Sequence, residues 1–444
     1  MSALARYFLA RKIGVSGYDK TPTALTAMLE ESGIAIHYDE NIELVPKDVD
    51  LVVYTPAIKE HHELEYYLNN GFTVLKRSEV LGIISSSSFN ICIAGTHGKT
   101  TISTMVAHIL RHSGYGCNAF LGGISTNYQT NFWSSENNVC VIEADEYDRS
   151  FLTLQPDIAV ISAIDADHLD IYGNEDAFQQ AFIDFSKKVK PGGLLLCKFG
   201  LKRRRKLVAD EVLTYSLQNE AADIYASNIQ IDNGSYLFDV MMKDSMIDQV
   251  VLNMGGMHNV ENAVAAIIIA KLLGIDLQKI KAALKAFTGV KRRFEYIVRK
   301  LNIVYIDDYA HHPEELRALL SGVKSLFRQS RCTIIFQPHL FSRTKDMAEE
   351  FARSLDLADR VILLPIYPAR ELPIEGVSSR MILGKMENRN KQVLTKDECL
   401  QYLEQEFLPG IDREFGEILI TAGAGDIDTL VEPVKHMLEK SFNS

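Results

Sequence analysis

Residues 91–101 decide how this chain folds, and they read Ile91-Cys92-Ile93-Ala94-Gly95-Thr96-His97-Gly98-Lys99-Thr100-Thr101. An apolar run leads into a turn with two glycines, and a helical pattern follows over residues 102–112. A strand, a glycine turn and a helix direct backbone N–H groups and the helix dipole at one point, which suits phosphate oxygens. Lys99 adds a positive charge, and the hydroxyl of Thr100 is a ligand for Mg²⁺. The glycines are closer together than in the usual phosphate loop, and the alternative is an ordinary turn with an exposed lysine, but the combination favours phosphate binding.

Two further apolar runs end in groups that bind metals. Residues 138–142 lead into three carboxylates: Glu143, Asp145 and Glu146. Open α/β sheets bind ligands at the carboxyl ends of their strands, so these oxygens fall where a nucleotide-bound Mg²⁺ needs ligands. Residues 158–163 lead to His168, which can ligate a second cation or hold an acyl phosphate. A solvated strand end and a hydrogen-bonded loop histidine are the plainer alternatives.

Short apolar runs alternate with amphipathic stretches along most of the 444 residues, which predicts an α/β fold with mainly parallel sheets. The length suggests about three domains. A serine tract at residues 85–88 separates two regions of different composition. We predict a first domain over 1–88, a central domain over 89–293 and a C-terminal domain over 294–444.

The first domain has a Rossmann-like rhythm, with strands near residues 13–19 and 50–54 and a helix over 23–32. The chain opens on a helical pattern, residues 2–10, with no strand or glycine-rich turn before it. A doubly wound domain normally begins with that strand. The pattern therefore predicts a domain that lacks its first strand and leaves the apolar face of its first helix poorly covered.

Charge and composition exclude several functions. Lys and Arg total 47 against 58 Asp and Glu, and the net charge of −11 argues against general binding to nucleic acid or anionic membranes. The basic run at 202–206 is expected to be a solvated loop. Six scattered cysteines show no metal-ligand spacing, which indicates reduced thiols and a cytoplasmic location. No apolar stretch is long enough to insert into a membrane.

Beyond the phosphate loop, segments in a fixed order along nearly the whole chain resemble the Mur ligase family. These are residues 95–101, 143–146, 165–172, 258–263, 291–294, 307–313 and 336–339. The resemblance implies three domains: one for a UDP-sugar, one for ATP, and a C-terminal dinucleotide-fold domain for an amino acid. It also implies ATP and Mg²⁺ as cofactors and amide formation through an acyl phosphate.

Within the family, segments 165–173 and 307–313 resemble members that join L-alanine to UDP-N-acetylmuramate in peptidoglycan synthesis. Two alternatives stay open. One is a ligase that attaches a preformed tripeptide to the same sugar, and the other is a non-catalytic protein that binds nucleotide.

The resemblance also implies roles for individual residues. The residues that it implies contact the nucleotide are Gly95, Thr96, His97, Gly98, Lys99, Thr100, Thr101, Asn259, Asn262, Arg293 and Asp308. Catalysis falls to Lys99, His168 and Arg293, and metal binding to Thr100, Glu143 and His168. The amino acid would meet Tyr309, His311 and Arg343. The alternatives are helix caps for the asparagines, a surface ion pair for Arg293 and a solvated turn at His311.

Two departures from the family pattern affect substrate binding. Relatives commonly carry an arginine where this chain has Leu340, which leaves Arg343 as the nearby guanidinium for a carboxylate. The glycine turn expected to hold the UDP pyrophosphate is absent before Ser2, which predicts weak binding of the UDP-sugar.

Overall fold

A computed structural model describes residues 1–55, 58, 61–165, 169–232, 234–243, 245–369 and 371–442. The chain forms two compact units. Unit 1 comprises Met1–Ser227, Val240–Ile247 and Glu261–Leu284, and unit 2 comprises Asn228–Asp239, Asp248–Val260 and Lys285–Ser444. No helix in the described part of the chain is both long and apolar enough to cross a bilayer.

The first part of unit 1 alternates helices with short strands. Its elements are α1 (Ser2–Ala10), β1 (Ser16–Tyr18), α2 (Ala24–Glu31), β2 (Ala35–His37), β3 (Val52–Tyr54), α3 (His62–Asn69), β4 (Val74–Lys76) and α4 (Arg77–Ser85). Strands β1 and β2 form one parallel pair, and β3 and β4 form another. Helix α2 begins where Thr23 predicts, because its Oγ1 accepts the N–H of Thr26 at 3.1 Å.

The first helix is well covered, contrary to the expectation from its position at the start of the chain. Ala3 and Leu4 are buried in the main core of unit 1. The ring of Tyr7 lies 5.5 Å from that of Phe120 and 5.9 Å from that of Phe132. The prediction of a poorly covered helix was wrong because it considered only the strands of the first domain.

A large sheet dominates the rest of unit 1. The chain continues through β5 (Phe89–Ala94), α5 (Lys99–His112), β6 (Asn118–Ser125), β7 (Thr130–Trp133), β8 (Val139–Glu143), β9 (Ile158–Ile161), α6 (Leu169–Tyr172), α7 (Glu175–Ser186), β10 (Leu194–Lys198) and β11 (Glu211–Ser216). Their order across the sheet is β7-β6-β8-β5-β9-β10-β11. All neighbours are parallel except β6 and β7, which form an antiparallel pair. The carboxyl ends of β8, β5 and β9 therefore meet side by side, as the sequence predicts.

The next elements are divided between the two units. They are β12 (Ile224–Asp232), β13 (Ser235–Met242), β14 (Ser245–Leu252), α8 (Met257–Leu272) and α9 (Leu277–Ala286). The three strands were not anticipated from the sequence. Their long, half-exposed burial pattern differs from the short, fully apolar runs that mark the central strands.

Unit 2 contains a second, six-stranded sheet. Its elements are β15 (Glu295–Lys300), β16 (Ile303–Asp308), α10 (Pro313–Leu326), β17 (Arg331–Phe336), α11 (Phe341–Asp346), α12 (Ala348–Leu355), β18 (Arg360–Leu363), α13 (Ser379–Leu383), β19 (Lys391–Val393), α14 (Lys396–Tyr402), β20 (Glu417–Ala422) and α15 (Val431–Phe442). The order is β15-β16-β20-β17-β18-β19, and only β15 runs antiparallel to its neighbour. The carboxyl ends of β16, β20 and β17 lie at one edge.

A buried histidine joins three elements of unit 1. His108, in α5, is 1% exposed, and its Nε2 lies 2.8 Å from the carbonyl oxygen of Ala283. A carbonyl only accepts, so Nε2 carries the hydrogen and Nδ1 accepts the hydroxyl of Tyr128 at 3.0 Å. Burial lowers the pKa of His108 to about 4. The side chain is therefore neutral in the folded protein at pH 7.

This histidine makes the stability of unit 1 depend on pH. The unfolded chain binds a proton at His108 below about pH 6.5, whereas the folded unit binds it only below about pH 4. Acidification through that window should remove up to about 3 kcal/mol of unfolding free energy. Urea titrations followed by fluorescence of Trp133, the single tryptophan, measure this in unit 1.

In His108→Gln the unfolding free energy should change less with pH. The control is His112→Gln, at an exposed position on the same helix, which should keep the pH dependence of the wild type. Equal pH slopes for wild type and His108→Gln would contradict the assignment.

Candidate active site

The phosphate loop follows β5 and is held against the end of β9. The N–H of Thr96 donates to the carbonyl of Ala163 at 3.1 Å, and the N–H of Ser162 donates to the carbonyl of Ala94 at 3.0 Å. Gly95 has a φ of +135°, and a Cβ there would lie 2.2 Å from Oγ of Ser162. Only glycine fits this position, because a side chain would collide with the neighbouring strand end.

Helix α5 opens directly out of this loop. Its N-cap is Gly98, with a φ of +83° and no side-chain cap. A Cβ on Gly98 would lie 2.8 Å from Oδ1 of Asn262, so the predicted nucleotide residue Asn262 borders the loop. The first N–H groups of a helix have no partner within it. A long helix that starts without a side-chain cap presents those groups and the positive end of its dipole to an anion.

Lys99 is held in place beneath the loop by a buried ion pair. Its Nζ lies 2.7 Å from Oε1 of Glu146 and 2.6 Å from the carbonyl oxygen of Gly95. Glu146 is 1% exposed, and its burial raises the pKa of the carboxyl while the ammonium group of Lys99 opposes that shift. The hydroxyl of Tyr172 donates to the Glu146 carbonyl. The pair holds the ammonium group beside the phosphate loop.

Thr100 and Glu143 meet at the end of β8. The hydroxyl of Thr100 donates to Oε1 of Glu143 at 2.9 Å, and the N–H of Gly122 donates to Oε2 at 2.8 Å. In an octahedral Mg²⁺ site with bonds of about 2.0–2.1 Å, neighbouring ligand oxygens lie about 2.9 Å apart. The two oxygens therefore fit one edge of such a coordination sphere.

The remaining residues predicted at this sheet edge are Asp145, three loop positions and His168. Asp145 accepts the N–H of Tyr147 at 3.0 Å, and Glu146 is paired with Lys99. The remaining loop positions differ in exposure: His97 is exposed, Thr96 is half-buried and Thr101 is buried. His168 lies outside the described residues.

In unit 2, Asp308 at the end of β16 bonds the backbone just before β15 and just after β16. Its Oδ2 accepts the N–H of Phe294 and its Oδ1 accepts the N–H of Ala310, both at 2.7 Å. Burial raises the pKa of Asp308 to about 6. Asn259 has a comparable local bond, from Nδ2 to the carbonyl of Gly255 at 2.6 Å. Both residues thus carry structural contacts.

The two arginines before β15, Arg292 and Arg293, differ in exposure and in partners. Arg293 is exposed, and its guanidinium carbon lies 5.8 Å from the ring centre of Tyr309. Arg292 is turned inward, with Nε 3.3 Å from Oδ2 of Asp307, whose pKa burial raises to about 7. Arg292 also donates to the carbonyl of Gly423. Sequence reasoning overlooked Arg292, although Asp307 at the end of an apolar strand was the signal for a buried partner.

Aromatic rings form a row at the carboxyl edge of the second sheet. The centres of Tyr309 and His311 are 5.2 Å apart, those of His311 and His339 6.0 Å, and those of His339 and Tyr367 5.8 Å. Burial lowers the pKa of His311 and of His339, and the guanidinium of Arg343 contributes to both shifts. Among the described residues, none bonds to the buried Nη1 of Arg343 or Nδ1 of His339. The structure therefore brings Tyr309, His311 and Arg343 into one neighbourhood.

One cluster was missed entirely at the sequence level. At the carboxyl ends of β1 and β2, the ring of Tyr18 lies 4.5 Å from that of His61 and 5.5 Å from that of His37. Nε2 of His37 lies 3.0 Å from Oε1 of Glu63. The available signal was the position of Tyr18 and His37 at parallel strand ends, where α/β sheets bind ligands.

Comparisons with known proteins identify the family. Family sequence models match three consecutive segments: "Mur ligase family, catalytic domain" at 1–88, "Mur ligase middle domain" at 93–270 and "Mur ligase, glutamate ligase domain" at 292–425. A UDP-N-acetylmuramate–L-alanine ligase of Parabacteroides distasonis is 47% identical over 100% of this chain and 96% of its own. One of Cytophaga hutchinsonii is 45% identical over 100% and 95%.

The chain belongs to the Mur ligase family.

Solved Mur ligase structures agree with the architecture. The UDP-N-acetylmuramate–alanine ligase of Thermotoga maritima superposes with a TM-score of 0.84 at 27% identity, over 99% of this chain and 97% of that one. A murein peptide ligase of Psychrobacter arcticus gives 0.66 at 24% identity over 99% and 96%, which shows the fold alone. The predicted α/β fold with three Mur ligase domains is confirmed. The exact boundaries at 88 and 293 stay a prediction.

The Lys99–Glu146 pair should dominate the stability of the loop region. Lys99→Met leaves a buried carboxylate without its cation, which should cost about 3–5 kcal/mol of unfolding free energy. Adding Glu146→Gln should recover most of that loss, because a neutral amide needs no counter-charge. Urea unfolding followed by Trp133 fluorescence measures both variants.

The exposed pair of Lys187 and Asp184 provides the control, since Lys187→Met should cost less than about 1 kcal/mol. A Lys99→Met loss no larger than that of the control would show that the buried pair is not a stabilising contact.

Proposed function

We propose that the chain is an ATP-dependent ligase that joins L-alanine to UDP-N-acetylmuramate in peptidoglycan synthesis, releasing ADP and phosphate. One observation carries this proposal: relatives named UDP-N-acetylmuramate–L-alanine ligase are 42–47% identical over 99–100% of the chain. The geometry of the two sheet edges is compatible with the chemistry that this reaction needs.

The nucleotide is proposed to bind with its phosphates at the loop from Gly95 to Thr101. The uncapped start of α5 and the ammonium group of Lys99 support this, because both favour negative charge. Asn262 borders the loop. Asn259, Arg293 and Asp308 are proposed as further nucleotide contacts, with Asp308 at the ribose and Arg293 at the phosphates.

Mg²⁺ is proposed to bind at Thr100 and Glu143, with His168 as a candidate ligand for a second cation. The 2.9 Å separation of the Thr100 and Glu143 oxygens supports the first site. A bound Mg²⁺ would neutralise phosphate charge as the phosphoryl group moves to the sugar carboxylate. Gly122 holds the other carboxylate oxygen, so Glu143 keeps one orientation.

The amine donor is proposed to bind among Tyr309, His311 and Arg343. The Nη1 of Arg343, which has no partner among the described residues, suits the carboxylate of an amino acid. Nδ1 of His311 lies 2.9 Å from the carbonyl of Tyr309, so Nδ1 carries the hydrogen and Nε2 is the basic nitrogen. With its lowered pKa, His311 is neutral near pH 7 and can accept the proton that the amine gives up as the amide bond forms.

The UDP end of the sugar substrate is proposed to bind at the carboxyl ends of β1 and β2. The rings of Tyr18 and His61 provide a face on which a uracil base can stack. The strand-end position supports this assignment, since ligands of parallel sheets bind there.

Substrate omission tests the proposed reaction. Phosphate release from ATP should require both UDP-N-acetylmuramate and an amine donor, because the acyl phosphate forms on the sugar carboxylate and is consumed by the amine. L-alanine should be used well and a tripeptide poorly at so compact a site. Glycine and L-serine should react about 10–200-fold less efficiently, since one small group discriminates only weakly.

Competition between L-alanine and L-alanyl-γ-D-glutamyl-diaminopimelate distinguishes a ligase that adds L-alanine from one that adds a preformed tripeptide. Preferred use of the tripeptide would overturn the choice of amine. Binding of ATP without phosphate release, under every substrate combination, would favour a non-catalytic protein.

Glu143 should set the requirement for Mg²⁺. Glu143→Gln removes an anionic ligand and should raise the Mg²⁺ concentration for half-maximal phosphate release at least about tenfold. Glu136→Gln, at an exposed position before the same strand, is the matched control and should leave the Mg²⁺ titration unchanged. A Glu143→Gln titration identical to wild type would remove Glu143 from the metal site.

A further inference from the structure

The short helix α11 (Phe341–Asp346) carries Arg343 and begins without a side-chain cap from its own N-cap residue. Its N-cap is Leu340, which provides no side-chain cap. Leu340 also has a φ of +72°, in the left-handed region that a leucine adopts at a cost. Such a conformation persists only where surrounding contacts hold it.

Those contacts come from the loop that follows β18. The N–H of Leu340 donates to the carbonyl of Tyr367 at 3.0 Å, and the N–H of Tyr367 donates to the carbonyl of Pro338 at 2.9 Å. The Tyr367 ring also stacks on His339, with an interplanar angle of 17°. One side of the α11 start is therefore tied to Tyr367.

Glu371 makes the second tie. Its Oε2 accepts the N–H of Ser342 at 3.0 Å, and its Oε1 accepts the hydroxyl of the same residue. A side-chain cap normally accepts a free N–H of the first helical turn, and here the carboxylate of Glu371 does so from another loop. Its pKa is lowered, first by the Ser342 hydroxyl and then by the Ser342 N–H, so it stays ionised at neutral pH.

We infer that Glu371 is a positioning residue for the amine donor, because it clamps Ser342 and thereby sets where the guanidinium of Arg343 stands. The inference rests on the proposed function, in which Arg343 binds the amino-acid carboxylate. Glu371 itself does not touch the reacting atoms in this assignment. Its effect passes through the neighbouring residue of α11.

The expected signature is a change in KM for the amine alone. Glu371→Ala should raise the KM for L-alanine about tenfold, comparable to the loss of a strong helix cap. The kcat and the KM values for ATP and the UDP-sugar should stay near wild type, because the carboxylate of Glu371 bonds Ser342 rather than a residue proposed to bind the nucleotide. Ser342→Ala removes only the hydroxyl donor and should give a smaller rise in the same KM.

A double-mutant cycle tests whether the effect passes through Arg343. On an Arg343→Ala background, Glu371→Ala should raise the KM for L-alanine no further, because nothing is left to position. Glu375→Gln, at an exposed site on the same loop, is the matched control and should behave as wild type. Glu371→Gln keeps the shape of the side chain. If Glu371→Ala does not fold, the KM for L-alanine is measured with Glu371→Gln in the same cycle.

Three results would overturn the inference. The first is that Glu371→Ala raises the KM for L-alanine by the same factor with and without Arg343→Ala. The second is an unchanged KM for L-alanine in Glu371→Ala. The third is a general loss of kcat with an altered KM for ATP. If L-alanine fails to stimulate phosphate release by the wild-type protein, the proposed function fails instead, and the same cycle applies to whichever amine does stimulate it.

Discussion

A buried carboxylate needs a cation, and in unit 1 that requirement organises the phosphate loop. Glu146 is almost fully buried behind the end of β8, and Lys99 is the ammonium group that neutralises it. The same lysine contacts the carbonyl of Gly95, so one ion pair links the loop, the start of α5 and the segment after β8. In the proposed function this lysine meets the phosphates, and its ion pair with Glu146 already positions the ammonium group at the loop.

The two neighbouring carboxylates, Glu143 and Glu146, have different partners. Glu146 holds the lysine, while Glu143, three residues earlier at the strand end, faces the hydroxyl of Thr100. In the proposed function, a metal at Glu143 and the ammonium group of Lys99, whose charge Glu146 balances, would both lie at this edge of the sheet. That suits a reaction in which a phosphoryl group and a carboxylate, both anionic, must approach one another.

In the proposed function, unit 2 binds a small amine that also carries a carboxylate. Its sheet edge combines neutral histidines with the guanidinium of Arg343. A neutral imidazole can take a proton, and a guanidinium can hold a carboxylate in a fixed direction. The start of α11, where Leu340 has a positive φ, is held by Tyr367 and Glu371 of the loop after β18, and we infer that this clamp sets the direction of Arg343.

The sequence by itself determined much of this protein. Apolar runs located β5, β8, β9 and β16 to within a few residues, because fully buried parallel strands leave an unbroken apolar signal. Residue order at the strand ends predicted that Lys99, Thr100 and Glu143 would meet, since parallel strands bring their carboxyl ends to one edge. The family followed from motifs spread over nearly the whole chain.

Only the tertiary structure decided which groups pair with which. Nothing local distinguishes Glu143 from Glu146, and their roles depend on the direction in which each side chain leaves the strand end. The covering of α1 by β6 and β7, the inward turn of Arg292 toward Asp307 and the clamp of Glu371 on Ser342 all join residues distant in sequence. Pattern reasoning reads periodicity along the chain, whereas these contacts depend on packing between elements, which no local spacing encodes.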